Sequence, residues 1–494
     1  MDRDNRLRSE SDFRDFIPVH VVWEITLACD LKCIHCGSRA GARRERELST
    51  AECFDVIDRL ARMGTREITL IGGEAYLRAD WTALVRRIRD HGILCYIQTG
   101  GRNLTSRRLA EAREAGLCGV GVSVDGLRDL HDELRGVPGS FDRALDSLRR
   151  AHAMGFATSV NTQIGARTMR DLPELMHTLI DAGATRWQVQ LTVAMGNAVE
   201  HAEELLQPYQ LLELMPILAE LYVEGLGRNM LMTVGNNIGY FGPFEHLWRG
   251  FGDERIHFGG CSAGQTTMGL EADGAVKGCP SLATQGYTGG NVRDRPLEEI
   301  WDTAPEIHFA RLRSEKDLWG FCATCYYADV CRAGCTWTAD SLFGRGGNNP
   351  YCHYRARQLE SRGLRERVLK KSPAPPLPFA IGEFELVLEP IPGRAVSDPP
   401  PEVTYQPAER LVPVNRLVRG RPSPPRGEGR VAPQLALCRG CHEYIYPHET
   451  VCPHCGAQIA EAELHYQEAA RRRAQVMTDL RVLLDEIQAA RPPG

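Results

Sequence analysis

From residue 18 to about 235, short apolar, β-branched runs alternate with longer amphipathic ones. The runs 19–27 (HVVWEITLA), 67–71 (EITLI), 94–98 (LCYIQ), 119–124 (GVGVSV), 157–164 (ATSVNTQI) and 187–193 (WQVQLTV) predict strands. The stretches near 50–64, 80–92, 106–116, 141–155, 171–183 and 208–225 predict helices, with Ser49-Thr50 and Asp171-Leu172-Pro173 as start signals. Strands that alternate with helices of this length imply βα units and a parallel sheet. Six units are too few to close an eight-stranded barrel. The pattern therefore predicts an α/β fold, an open partial barrel of six βα units, over residues 1–235.

Beyond that point the periodicity fades. Residues 236–370 are rich in Gly, Cys and aromatics, as expected of a small domain that substitutes metal ligation for a large core. Residues 371–434 hold 15 of the 29 prolines, which predicts an extended, largely disordered linker with one strand at 383–389 (EFELVLE). Residues 435–494 hold a four-cysteine module and a helix from about 457 to 490. Its apolar positions Val476, Leu480, Leu483, Leu484 and Ile487 predict a satellite core helix.

Composition narrows the class. At 494 residues, 43% hydrophobic and 25% charged, the chain suits two to four domains with real cores, which excludes a collagen-like or wholly disordered protein. No apolar run approaches the roughly 18 residues of a membrane span, and the charged start MDRDNRLRSESDFRDF lacks the apolar stretch of a secretory signal. A cytoplasmic setting follows, so the 17 cysteines are read as thiols or metal ligands rather than disulfides. A net charge of −5 gives no global argument for nucleic-acid or membrane binding.

The cysteines fall into three groups. Cys29-Asp-Leu-Lys-Cys33-Ile-His-Cys36 directly follows the first expected strand. Three thiolates from one loop can hold three irons of a cubane cluster and leave the fourth open; zinc would want a fourth ligand, and no fourth cysteine is near. Gly72-Gly73-Glu74 follows the second strand, Ser123-Val-Asp125-Gly126 ends the fourth, and His131-Asp-x-x-Arg135-Gly136 comes next. Asn161 and Gln163 on the fifth strand are further candidates. In this order, at strand C-termini, these motifs resemble the radical S-adenosylmethionine (SAM) superfamily. The resemblance implies a 4Fe–4S cluster on Cys29, Cys33 and Cys36, with SAM contacted by Gly72, Gly73 and Glu74 at its amino group. Ser123 and Asp125 would contact its ribose, and Arg135 its carboxylate. It also implies reductive cleavage of SAM to methionine and a 5′-deoxyadenosyl radical that abstracts hydrogen from substrate.

The second group, Cys261, Cys279, Cys322, Cys325, Cys331, Cys335 and Cys352, has the order C…G-x4-C…C-x2-C-x5-C-x3-C…C. It resembles the SPASM extension of radical SAM maturases, against the alternative of two structural zinc sites. The resemblance assigns Cys322, Cys325, Cys331 and Cys352 to one auxiliary 4Fe–4S cluster, and Cys261, Cys279 and Cys335 to a second, inner one. Some relatives carry another cysteine where this chain has Arg255, so the last inner iron is expected to be open or to take His257 or Asp253.

Cys438-Arg-Gly-Cys441 and Cys452-Pro-His-Cys455 are two C-x2-C knuckles, the pattern of a closed tetrahedral zinc site that resembles a zinc ribbon. No basic, aromatic-interleaved patch adjoins it, which favours protein or peptide contact over nucleic acid. Cys53, Cys95 and Cys118 are expected to be small core residues.

Together these features predict a SPASM maturase that oxidises a peptide or protein, first of all a ribosomally made precursor. It would be fed by a reductase, flavodoxin or ferredoxin. Fewer than twenty residues precede the first strand, so leader binding is expected to use a separate protein, the ribbon or the catalytic face. The rivals are a sulfatase-type maturase, a tetrapyrrole-modifying enzyme and a non-catalytic, cluster-bearing nucleic-acid-binding module.

Overall fold

The computed structural model describes residues 8–250, 253–397 and 421–489. They fall into two compact units: residues up to Tyr240 with Phe258–Ala432, and Phe241–His257 with residues from Pro433 onward.

In the first unit β1 (His20–Thr26), β2 (Glu67–Gly72), β3 (Leu94–Thr99), β4 (Gly119–Ser123), β5 (Ala157–Ile164) and β6 (Arg186–Leu191) lie side by side and parallel. These are the six expected strands. A seventh, β7 (Leu231–Val234), extends β6 in parallel; four residues are too few to print a period in the sequence. On the other side of β1 the sheet continues through β8 (Thr267–Leu270), β9 (Ala275–Lys277) and β10 (Thr288–Asn291). Strand β8 is parallel to β1, and β9 and β10 then alternate. The extension thus begins as a continuation of the barrel's own sheet.

The helices Thr50–Arg62, Trp81–Asp90, Ser106–Glu114, Ser140–Ala153, Leu172–Asp181 and Leu211–Gly227 match the expected ones. Ser49 and Glu52 cap the first reciprocally. Right-handed crossovers put such helices on one face of the sheet. Along β3, β5 and β6 alternate residues (Cys95, Ile97, Val160, Trp187, Val189) are buried, while Tyr96, Gln98, Asn161, Gln163, Gln188 and Gln190 between them are only half-buried. A closed barrel fills its interior with branched apolar side chains. Here the second face is largely polar and half-buried, unlike a packed core.

The described parts of the proline-rich segment, residues 371–397 and 421–434, depart from the expected disorder, and residues 398–420 lie outside the described residues. β11 (Leu364–Ser372) pairs antiparallel with β12 (Glu383–Pro390), so the strand expected at 383–389 is half of a hairpin. Residues 421–432 lie along the first unit: Arg421 pairs with Asp317 at 2.8 Å, Arg426 with Asp302 at 2.9 Å, and the N–H groups of Gly427 and Gly429 donate to Arg14 O. Proline fixes φ and has no N–H to satisfy, so a proline-rich chain can follow a surface with few backbone partners. The DPPPE run lies outside the described residues.

In the second unit β13 (Ala436–Leu437) and β14 (Tyr444–Ile445) form a small hairpin, followed by the helix Ile459–Ala489. Leu464 and Val476 on that helix are more than half exposed, so over the described side chains it is a surface helix rather than a core one. Leu480, Leu483, Leu484 and Ile487 lie outside the described side chains. Among the described residues no helix is long and apolar enough to cross a membrane.

Candidate active site and metal centres

Strand β1 ends in a tight loop that carries Cys29, Cys33 and Cys36. Cys29 N–H donates to Gly41 O, and the amides of Leu31 and Ala40 point at the sulfurs of Cys29 and Cys36, each at 3.4 Å. Two other elements clamp the loop. Lys32 and Ile34 donate to the carbonyls of Arg135 and Leu134, at the end of the helix Arg128–Arg135. Asn197 donates its side-chain amide to Cys33 O at 3.0 Å and its backbone N–H to Cys36 O at 3.0 Å. Asn197 was not foreseen; it lies about 160 residues downstream of the loop, and no local pattern links the two.

Gly72 and Gly73 end β2 directly against this loop. A Cβ on Gly73 would stand 2.2 Å from Ala28 O and 2.7 Å from Cys29 Cβ, so the strand ends meet only because both residues lack side chains. Glu74 is turned inward. Its carboxylate accepts from Thr99 Oγ1 and, at 2.7 Å, from Gly100 N–H, and burial pushes its pKa up to about 7. It groups with Cys29 and Asp30, the three ligand atoms lying within 4.8 Å of one another.

Ser123 accepts from Gln98 Nε2 at 3.0 Å on the polar face. Asp125 is fully enclosed: it accepts from Gln163 N–H at 2.9 Å and pairs with His35 at 3.1 Å and Arg135 at 2.5 Å. Asp125 thereby orients a histidine and an arginine beside the cysteine loop. Arg135 reaches Cys33 Sγ at 3.7 Å, and its Nε is buried with no hydrogen-bond partner among the described residues. That spare donor suits an anionic group arriving next to Cys33. Burial pushes the Cys29 and Cys33 thiols up to about 12 and 11. Such thiols ionise only with a nearby cation, which is what an iron–sulfur cluster supplies. The donor set fits the group.

Two further thiol sets lie in the extension. Cys279 is pushed up to about 12 by burial and by its neighbours Cys261 and Cys335, and Cys335 to about 11 by burial and by Cys261. Cys331 and Cys352 are pushed well up by burial, and Cys322 and Cys325 bear on both. Beside this foursome Arg355, wholly buried, pairs with Glu366 at 2.5 Å and donates to Asn348 at 2.6 Å. The candidate extra ligands are otherwise engaged: His257 Nε2 accepts from Leu435 N–H at 3.1 Å within the second unit, and Asp253 pairs with Arg255 at 2.7 Å.

In the second unit the sulfurs of Cys438, Cys441, Cys452 and Cys455 lie within 4.8 Å of one another, around a small core of Ile445 and Ile459. Arg439 braces the knuckle against Glu254 at 2.5 Å and Glu463 at 3.0 Å. The group could bind a metal ion. Of the remaining cysteines, Cys53 and Cys95 are buried, whereas Cys118 is half-buried.

Family profiles match residues 23–179 (Radical SAM superfamily) and 261–326 (SPASM, an iron-sulfur cluster-binding domain). An AdoMet-dependent heme synthase of Methanosarcina barkeri is 30% identical over 349 residues, which span 68% of this chain and 97% of that one. The chain belongs to the radical SAM superfamily. Mycofactocin maturase MftC of Mycolicibacterium smegmatis is 29% identical over 64% of this chain and 78% of its own length. The radical SAM fold is also seen in the solved structure of native anSMEcpe with bound AdoMet, which superposes with a TM-score of 0.55 at 17% identity, over 69% of this chain and 95% of that one. This radical SAM chain carries a SPASM domain, and the two together imply 4Fe–4S clusters and SAM.

Proposed function

We propose that the chain oxidises a peptide or protein substrate by hydrogen abstraction and passes the electrons left behind to the auxiliary sites of the extension. The observation that supports this reading is the grouping of buried and half-buried thiols into three sets: the β1 loop, Cys261/Cys279/Cys335, and Cys322/Cys325/Cys331/Cys352. When bound, the cluster on Cys29, Cys33 and Cys36 and its SAM supply a 5′-deoxyadenosyl radical. The chain's own residues then have distinct tasks. Asn197 and the helix end at Leu134–Arg135 hold the loop in shape, Gly72 and Gly73 let β2 approach it, and Arg135, oriented by Asp125, offers a cationic edge to a carboxylate. Ser123, Asn161 and Gln163 line the polar face where cofactor and substrate would meet.

The four thiolates of the second unit would hold zinc, as closed S4 sites do. Such a knuckle adds a surface suited to a macromolecule, which with the maturase relative supports a peptide substrate. A flavodoxin- or ferredoxin-type protein in the cytoplasm would supply the electron. A second reading, a tetrapyrrole substrate, is favoured by the match across 97% of a heme synthase. Anaerobic coexpression with candidate peptides, and incubation with a tetrapyrrole, followed by mass spectrometry, separates the two. A hydrogen loss from a peptide that disappears in Cys33→Ala is the expected result. A Cys33-dependent mass change on the tetrapyrrole alone would overturn the peptide reading.

A further inference from the structure

The loop that joins β11 to β12, residues 373–382 (PAPPLPFAIG), carries four prolines in ten positions. Fixed φ angles make it a stiff finger rather than a slack connection. Its tip touches the surroundings of two thiol sets at once. Phe379 N–H donates to Gly37 O at 2.9 Å, one residue beyond Cys36. The Phe379 ring faces the ammonium of Lys277 at 4.0 Å, two residues before Cys279. Lys277 is itself wholly buried and held by Glu271 at 3.0 Å. On the other side Gly196 N–H donates to Ala380 O at 2.8 Å and Ile381 bridges Met195. Met195 Sδ in turn accepts from the indole N–H of Trp337 at 3.3 Å, two residues beyond Cys335. Phe379 has φ 56° and is half-buried. A bulky residue keeps that left-handed conformation only where its surroundings impose it, and such strain clusters at functional sites.

We propose that Phe379 is a specificity-determining residue: its ring is the wall between the β1 cysteine loop and the Cys261/Cys279/Cys335 set, and it fixes the size of group that can enter between them. This deepens the reading above and rests on it, since both thiol sets must hold iron and serve one substrate. A residue that touches the backbone beside one set and a buried cation beside the other has the position for that role. Neither a linker nor an ordinary surface hairpin needs such contacts.

The test uses the full chain, purified anaerobically with its iron, as wild type, Phe379→Ala, Phe379→Leu and Phe379→Trp. Iron extraction is timed with a small chelator, 2,2′-bipyridine, and a bulky one, bathophenanthroline disulfonate, and substrate-free 5′-deoxyadenosine formation is measured in parallel. Phe379→Ala should speed extraction by the bulky chelator about fivefold or more, as loss of a desolvated cation–π contact allows, and so reduce the wild type's preference for the small one. Phe379→Leu should fall between, and Phe379→Trp should not exceed wild type. The same size preference in all four proteins would overturn the proposal. A wild type that holds iron but forms no 5′-deoxyadenosine would overturn the SAM-cleaving reading instead, while the chelator rates still decide whether Phe379 is the wall. Thermal unfolding by circular dichroism separates an opened wall from a variant that has lost its fold.

Discussion

At the scale of single residues, burial decides what a polar group can do, and His308 shows it. Its Nε2–H donates to Trp301 O at 2.7 Å and its Nδ1 accepts the Ser423 hydroxyl, so both nitrogens serve the neutral form. Burial, with Arg311 alongside, pushes its pKa down to about 3. In the unfolded chain the imidazole titrates near its ordinary value of about 6.5, so between the two values the unfolded state binds the extra proton. The stability tied to neutral His308 is complete above about pH 6.5 and drains away as the pH falls toward 3. At pH 5.5 the loss reaches about 1.4 kcal/mol. His308→Asn, which cannot titrate, should therefore melt below wild type at pH 7.5 with the gap narrowing by about that amount at pH 5.5. Thermal unfolding of both proteins at the two pH values checks this, and an unchanged gap would sink it. Residues of this kind are hard to read in a sequence. The cysteine ligand candidates are legible because metal chemistry prints a spacing, whereas the Ser423 partner of His308 and the clamp at Asn197 come from segments more than 100 residues away in the chain.

At the scale of elements, the β1 cysteine loop depends on two strand ends meeting more closely than side chains allow. A Cβ on Gly72 would stand 2.1 Å from Thr26 O, and one on Gly73 2.2 Å from Ala28 O. These obstacles are backbone atoms, which cannot rotate away, so Gly73→Ala must push β1 and β2 apart just where Cys29 begins. A displacement near 1 Å is enough to cost about 100-fold in a positioned reaction. Gly73→Ala should lower 5′-deoxyadenosine formation by at least that factor while circular dichroism stays that of the folded chain. Wild-type cleavage would show that the strand ends can yield. The strands themselves were legible: six runs of apolar, β-branched residues became β1–β6 within one or two residues at most ends. β7 was missed because it is short, and the β11–β12 hairpin because proline content signals an absent ladder but not a docked finger. Strands β8–β10 were hidden for another reason. They are brief and glycine-flanked, and β8 joins them to β1, about 240 residues earlier in the chain, so the sheet they complete leaves no local trace.

At the scale of the whole molecule, the three thiol sets and the knuckle of the second unit make the metal content a readout of architecture. The β1 set comes from one loop, whereas Cys335 of the inner set lies in sequence between Cys331 and Cys352 of the outer one, yet no cysteine is assigned to two sets. If each holds its metal independently, the chain should carry about 12 irons and one zinc. Removing one ligand should then subtract a single site. Cys325→Ala should leave about 8 irons and keep SAM cleavage, because its partners lie around Arg355 rather than in the β1 loop. Cys33→Ala should also leave about 8 irons but abolish cleavage. Cys441→Ser should retain all the iron and lose the zinc. The knuckle cysteines pack against Ile445 and Ile459, so the fold around the knuckle should go with the metal and become sensitive to protease. Metal analysis beside 5′-deoxyadenosine assays on the same preparations distinguishes these outcomes. Loss of most of the iron in Cys325→Ala would mean that the outer site holds the first unit together, and the sets would then have to be treated as one cooperative structure rather than as separate centres on a shared sheet.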